Sequence, residues 1–170
     1  MGKLKFYEKG FSLFELIIVI AMIAILTTIA IPLFSKMNSN MRLKGSARDI
    51  HSLLQLTRLR AIKEQAFVVV DFDPDRDGNL QGNYIAFVDD NADFTRDGIE
   101  EIFYQNNLQV DIQMTSAAFG PSPAKTYTCF NINGFPVDSL LNEYSGTVNL
   151  SNAYNSHQIS LNAVGLSTVQ

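Results

Sequence analysis

One cysteine, two histidines and no lysine or arginine beyond Lys125 set the first limits on this chain. A lone thiol, Cys129, allows no disulfide within the chain, so the folded part must be held by its core, by partners or by an ion. Cys129 itself lies in the strand-like stretch Tyr127-Thr-Cys-Phe130 and reads as a small buried residue rather than a nucleophile. His51 and His157 fall in unrelated segments, and no paired Cys or His ligands, phosphate loop or Gly-x-Ser-x-Gly turn occurs. The neighbouring carboxylates Glu100 and Glu101, read as strand residues, point to opposite faces and cannot form a dyad. No catalysis is expected from such a set. Acidic residues outnumber basic ones, 17 to 13, for a net charge of −4, which argues against a general binder of nucleic-acid phosphates.

Charge is scarcest between Phe11 and Phe34, where Glu15 is the one charged side chain. The run from Leu16 to Pro32 is otherwise apolar, and about 20 such residues span the core of a bilayer. A carboxylate in such a span costs roughly 2.5–3.5 kcal/mol near the membrane centre and less toward its edge. An apolar residue would insert more easily, so Glu15 calls for a role. A basic leader with Lys3, Lys5 and Lys9 precedes the run and ends at Gly10. A secretory signal would carry its small-residue cleavage site after the apolar stretch, whereas here the small residue comes before it. A plain membrane anchor fits the length but leaves Gly10, Phe11 and Glu15 unexplained.

The pattern Gly10-Phe11-Ser12-Leu13-Phe14-Glu15, followed by the apolar run, resembles the class III signal of type IV pilins and type II secretion pseudopilins. The likeness is specific over residues 1–35 and looser beyond. It implies that a prepilin peptidase cuts after Gly10 on the cytoplasmic face and that Phe11 becomes the N-methylated terminus. It also implies that Glu15 meets the α-amino group of Phe11 in a neighbouring subunit. Glycine admits the backbone to a protease cleft without side-chain conflict. Three lysines hold the leader on the cytoplasmic side, and an ion pair in a low-dielectric setting would fix register between subunits. Loss of the leader removes three Lys and one Glu, taking the net charge from −4 to −6. The expected organisation is a cleaved leader over 1–10, a transmembrane and assembly helix over 11–34, an amphipathic continuation over 35–66 and a periplasmic β-rich domain over 67–170.

Pro32 removes one helical hydrogen bond and predicts a kink or local loosening. Beyond it Leu43, Ala47, Ile50, Leu54, Thr57 and Ala61 recur every three to four residues, a stripe that would pack on a sheet. Lys44, Arg48, His51, Gln55 and Arg58 fall opposite, with His51 expected to be solvated rather than a ligand. From Phe67 the period changes to two. Strands are expected at 67–72, 82–88, 99–104, 110–114, 126–132, 146–150, 158–161 and 166–169, with breaks at Gly120-Pro-Ser-Pro123 and Asn133-Gly134. One long helix followed by short strands indicates an α+β domain. Thr57 to Ala61, Phe130 to Pro136 and Ile159 to Gly165 resemble the H-type minor pseudopilins (the GspH/FimT group), which implies a long helix packed on two antiparallel β-sheets.

Two acidic loops resemble calcium loops, each broken once. Asp73-x-Asp75-x-Asp77-Gly78 has Tyr84 where the distal bidentate Glu would stand. Asp89-x-Asn91-x-Asp93 has Asp97 and Glu100 at the ninth and twelfth positions, but Phe94 replaces the turn glycine. A left-handed Phe costs on the order of 1 kcal/mol. Acidic hairpin loops are mostly solvated turns that bond their own backbone, and that is the expectation here. No cofactor is expected, with Ca²⁺ at Asp89, Asn91, Asp93, Asp97 and Glu100 as the alternative.

The resemblance implies a structural subunit that helps to start or cap a type IV pilus or type II secretion pseudopilus. Its partners would be other pilins or pseudopilins, the peptidase and an inner-membrane assembly platform. The alternative is a ligand-binding minor pilin serving DNA uptake or adhesion. Some members of the group carry a basic Gly-Arg-x-Arg-like final strand suited to phosphates, whereas here Gly165-Leu-Ser-Thr-Val169 has none. A plain anchored periplasmic domain would differ from both in leaving Gly10 uncut.

Overall fold

The computed structural model describes residues 10–170. The leader lysines Lys3, Lys5 and Lys9 lie outside the described residues. The first element, α1, covers Leu13–Glu64 with Pro32 inside it, and Pro32 does not end the helix. The chain divides into two compact units, one ending at Asn38 and the other covering Ser39–Gln170.

In the first unit Phe11, Leu13, Phe14 and the large apolar side chains from Leu16 to Phe34 are all exposed. Thr27 and Thr28 turn their hydroxyls back onto the helix, donating to the carbonyls of Ile23 and Ala24 and to that of Ala24, respectively. That geometry hides a hydroxyl in an apolar setting by using a carbonyl already present.

The second unit is built of the remaining helix and nine strands. These are β1 (Phe67–Asp71), β2 (Asn83–Asp89), β3 (Ile102–Asn107), β4 (Gln113–Phe119), β5 (Tyr127–Phe130), β6 (Pro136–Val137), β7 (Gly146–Ser151), β8 (Ser156–Leu161) and β9 (Ser167–Val169). They form two antiparallel sheets, ordered β3-β2-β1-β5-β6 and β4-β7-β8-β9. The fold is α+β, a long helix on two antiparallel sheets. The periodic stripe Leu43, Ala47, Ile50, Leu54, Thr57 and Ala61 is buried as its spacing requires, joined by Leu53. It shares one core with Val68, Val70, Tyr84, Ala86 and Phe130 of the first sheet, with Phe72 just beyond β1, and with Met114, Phe119, Val148, Leu150, Ile159 and Leu161 of the second.

The first sheet is buried on its other face as well. Val69, Ile85, Phe87 and Cys129, the alternate residues of β1, β2 and β5, form a second cluster with Phe94 from the acidic loop after β2. Alternation along a strand sends neighbours to opposite faces, so the near-continuous apolar runs of β1 and β2 reflect a sheet covered on both sides.

Several boundaries differ from the periodic reading. β3 starts at Ile102 rather than residue 99, leaving Ile99 exposed in a turn and Glu100 and Glu101 outside any strand. Val110 is fully exposed in a turn, and the strand expected from it begins only at Gln113 and runs on to Phe119. The two-residue β6 is too short to produce a period. His51 is half-buried rather than solvated, because the last strand lies against it: Ser167 Oγ is 2.7 Å from His51 Nδ1 and accepts the Gln55 side-chain N–H at 2.8 Å.

Candidate assembly site

Glu15 lies in the first turn of α1 and is exposed. The turn is set by Ser12, whose Oγ accepts the N–H of Phe14 at 3.3 Å while its carbonyl accepts that of Leu16 at 3.1 Å. Ser12 is thus the helix cap, a residue that the pattern Ser-x-x-Glu before an apolar run would have flagged. A carboxylate in a first turn is favoured by the positive end of the helix dipole. Among the described residues, no side chain or backbone group bonds to the Glu15 carboxylate. Gly10 and Phe11 stand just before the cap, exposed and outside the helix. An 18-residue window of the helix reaches a mean hydropathy of 2.9 with none of it buried, so it is long and apolar enough to cross a membrane.

The acidic loops have a different geometry. Asp89 Oδ1 accepts the N–H of Ala92 at 2.7 Å and Oδ2 that of Phe94 at 2.9 Å. Glu100 accepts the N–H of Asp97 at 2.9 Å and of Asp90 at 3.3 Å, Asn91 that of Asp93, and Asp93 and Asp97 those of Thr95 and Ile99. Burial pushes the Glu100 carboxyl up, against the bonds from Asp97 and Asp90 that hold it down. Among the described residues, no group of three or more His, Cys, Asp or Glu side chains is disposed to hold a metal ion. In the first loop Asp73 accepts the N–H of Gly78 at 3.1 Å, and Asp77 that of Asn79 at 2.7 Å, while Asp75 is exposed. Arg76 joins the two loops, donating to the Phe94 carbonyl at 2.8 Å and lying over the Tyr127 ring.

The cysteine, the adjacent carboxylates and the histidines sit in separate surroundings. Cys129 is fully buried, and burial pushes its thiol well above the ordinary range. Glu101 reaches Arg60 at 3.1 Å while Glu100 turns into its own loop, so the two carboxylates serve separate partners. His51 and His157 are not brought together as a pair: His51 meets Ser167, and His157 Nδ1 lies 2.9 Å from the carbonyl of Gln170.

Residues 46–165 match the family described as Type II transport protein GspH, and residues 5–31 match the prokaryotic N-terminal methylation motif. The pilin-like protein PilA1 of Thermus thermophilus is 31% identical over 138 residues, covering 78% of this chain and 82% of that protein. The minor pilin FimU of Pseudomonas aeruginosa superposes with a TM-score of 0.55 at 12% identity, covering 75% of this chain and 92% of that one. For the minor pseudopilin EpsH of Vibrio cholerae the values are 0.50, 14%, 76% and 96%. At such identities these two speak for the fold alone. With the methylation motif at one end, a family match over most of the folded unit and a pilin-like relative along most of its length, the chain belongs to the GspH family of type IV pilin-like minor pilins and pseudopilins, which are structural subunits and not enzymes.

Proposed function

We propose that this subunit takes part in the tip complex that starts or caps a type IV pilus or a type II secretion pseudopilus. In this reading a prepilin peptidase cuts after Gly10 at the cytoplasmic face of the inner membrane and Phe11 is N-methylated. The unit from Ser39 onward stands in the periplasm until the assembly platform draws the subunit into the filament. The observation that carries the reading is Glu15, an exposed carboxylate in the first turn of an unburied apolar helix, with no partner of its own among the described residues. Cleavage would free an α-amino group one residue before the Ser12 cap, at the positive end of the helix dipole. That end disfavours an added positive charge and favours a carboxylate beside it. Pairing Glu15 of one subunit with the amino group of the next would satisfy both in a setting of low dielectric, where an unpaired charge is costly.

Intact-mass measurement and filament isolation test the reading. The mature chain should begin at methylated Phe11, Gly10→Leu should accumulate as uncut precursor, and Glu15→Leu should be cleaved and inserted yet assemble poorly. A mature chain that begins elsewhere, or a Glu15→Leu subunit that enters filaments as well as wild type, would overturn it.

A further inference from the structure

The loop between β4 and β5 and the start of the connection from β6 to β7 border a partly open cleft of about 200 Å³. Its walls are largely flat and apolar: the rings of Phe119, Tyr127 and Tyr144, with Pro121 and Pro123. Roughly 150 Å³ is enough to hold a benzene ring, so the cleft takes one such ring and a small group attached to it. No residue of α1 lines it, which separates it from the assembly site.

The walls are fixed before any ligand arrives. Phe119 and Lys125 exchange backbone hydrogen bonds in both directions, each at 2.9 Å, and so close the β4–β5 loop at its neck. The Phe119 ring stacks on Phe72, and Gly120 donates its N–H to the Ser145 carbonyl at 3.1 Å. The Tyr144 hydroxyl donates to Thr128 Oγ1 and accepts the Cys129 N–H, both at 3.2 Å. Gly120 keeps the space clear: it adopts φ 78, and a Cβ there would lie 3.7 Å from the Tyr144 ring. A preformed apolar recess with a few polar groups is the usual form of a small-molecule site. Rigid walls also leave little ordering entropy to be lost on binding.

The polar groups select the ligand's charge. Asp138 lines the cleft but is committed to its own turn. Its Oδ1 accepts the N–H groups of Leu140 and Asn142, both at 2.9 Å, and its Oδ2 accepts the Asn142 side-chain N–H. Lys125 and Tyr127 have no such commitment. Among the described residues, no group bonds to the Lys125 ammonium or to the Tyr127 hydroxyl. Burial pushes the Tyr127 phenol up, so it stays protonated at neutral pH and remains a donor. Two unused donors thus border one small aromatic recess. We infer that this cleft is a binding site for a small aromatic carboxylate, its ring held between the aromatic and proline walls and its carboxylate on Lys125 and Tyr127. The inference stands apart from the assembly reading and gives the folded unit a ligand-binding role of its own.

The test uses the full chain in lipid nanodiscs, with para-fluorobenzoate and para-fluorobenzyl alcohol as probes read by fluorine NMR and empty nanodiscs as the blank. The acid should bind wild type at millimolar concentration and about fivefold more tightly than the alcohol, the upper end for a partly exposed ion pair. Lys125→Met, at an exposed side chain, should bring the acid down to the level of the alcohol, and Tyr127→Phe should weaken the acid further than the alcohol. Ser139→Trp, at an exposed lining position, should fill the cleft and remove both probes while the melting curve matches wild type. Absence of binding, equal binding of acid and alcohol, a preference that survives Lys125→Met, or binding that persists in Ser139→Trp would overturn the inference. Tighter binding of para-fluorobenzylamine than of the acid would assign the site to Asp138 and overturn it as well. None of these outcomes depends on whether the chain enters filaments, so failure here leaves the assembly reading intact.

Discussion

Asp89 Oδ2 accepts the backbone N–H of Phe94 at 2.9 Å, and that bond fixes the residue that stands in place of the loop's turn glycine. Phe94 adopts φ 60, and its ring, 3% exposed, meets Phe67 edge to face at 6.1 Å between centroids. The left-handed backbone aims the ring at the outer face of the first sheet. Its conformational cost, on the order of 1 kcal/mol, is offset by burying an aromatic side chain, which contributes roughly 1.5–3 kcal/mol. The acidic loop is a cover for that face, and its carboxylates hold the cover's backbone in shape.

Because Asp89 and Glu100 already accept the loop's own backbone N–H groups through both oxygens, we propose that calcium is not a staple of this fold. Melting curves of the domain from about Lys36 onward should coincide in millimolar calcium and in chelator. A native-state ligand at a hundredfold excess over Kd would stabilise by about 2.7 kcal/mol, a shift of several degrees for a domain of this size. A calcium-dependent rise abolished by Glu100→Gln would assign an ion to this loop after all. Without calcium, Glu100→Gln should itself cost about 1–2 kcal/mol, since one amide oxygen replaces two carboxylate oxygens that each accept a backbone N–H.

The helix was the most legible part of the chain. A burial stripe repeated from Leu43 to Ala61 has enough turns to define a phase, and the exposed apolar run with Glu15 was legible because charge is so scarce there. His51 shows where the period fails. Its position on the helix predicts solvent, but Ser167, 116 residues away, lays β9 beside it, and no local pattern records that contact. The two-residue β6 and the late starts of β3 and β4 were hidden for a related reason: their limits are set by pairing partners and not by their own alternation. Phe94 looked like a broken motif because the cluster that receives it is assembled from β1, β2 and β5.

The buried carboxylate Asp71 should show an inverted pH dependence. Burial is the largest influence and raises its pKa, against the N–H of Asp73 and the charge of Arg76, which lower it. A folded pKa above the unfolded one, 3.8 by its ordinary value, contributes stability that is fully present below the unfolded pKa and is lost as pH rises through the folded one. The stability difference between wild type and Asp71→Asn should therefore move in favour of the variant between pH 3 and neutrality, read from urea midpoints at each pH. A difference that moves toward wild type would mean that the Arg76 pairing outweighs the burial.

The shared core should be sensitive to Phe72. Its ring stacks on Phe119 at 5.6 Å between centroids and lies 6.1 Å from Tyr84, so it joins the first sheet to the second. Phe72→Ala should lower unfolding free energy by about 3–5 kcal/mol, the usual range for a fully buried aromatic. Denaturant titration of the unit from Ser39 onward would read it, with Leu59→Ala on the exposed helix face expected to change little.

Gly165 is the point at which the final strand is seated on the helix. It adopts φ 79, and a Cβ there would run into the carbonyl oxygen of Gly134 and lie 3.0 Å from Arg58 Nε. That same carbonyl accepts the Arg58 Nε–H at 3.1 Å, and the Gly165 carbonyl accepts the Gln55 side-chain N–H at 3.4 Å. Because the clash is with backbone and the conformation is left-handed, no rotamer change can relieve it. Gly165→Ala should cost about 1–3 kcal/mol and loosen β9 first, since Ser167 loses its place against His51 and Gln55. Faster amide exchange confined to β8 and β9, together with a lower urea midpoint, would display this. Gly98→Ala, where an added Cβ meets nothing within 4 Å, should stay within about 0.5 kcal/mol of wild type. Equal losses at the two positions would show that the glycine effect is general rather than a property of the seat formed by Gly134, Arg58 and Gly165.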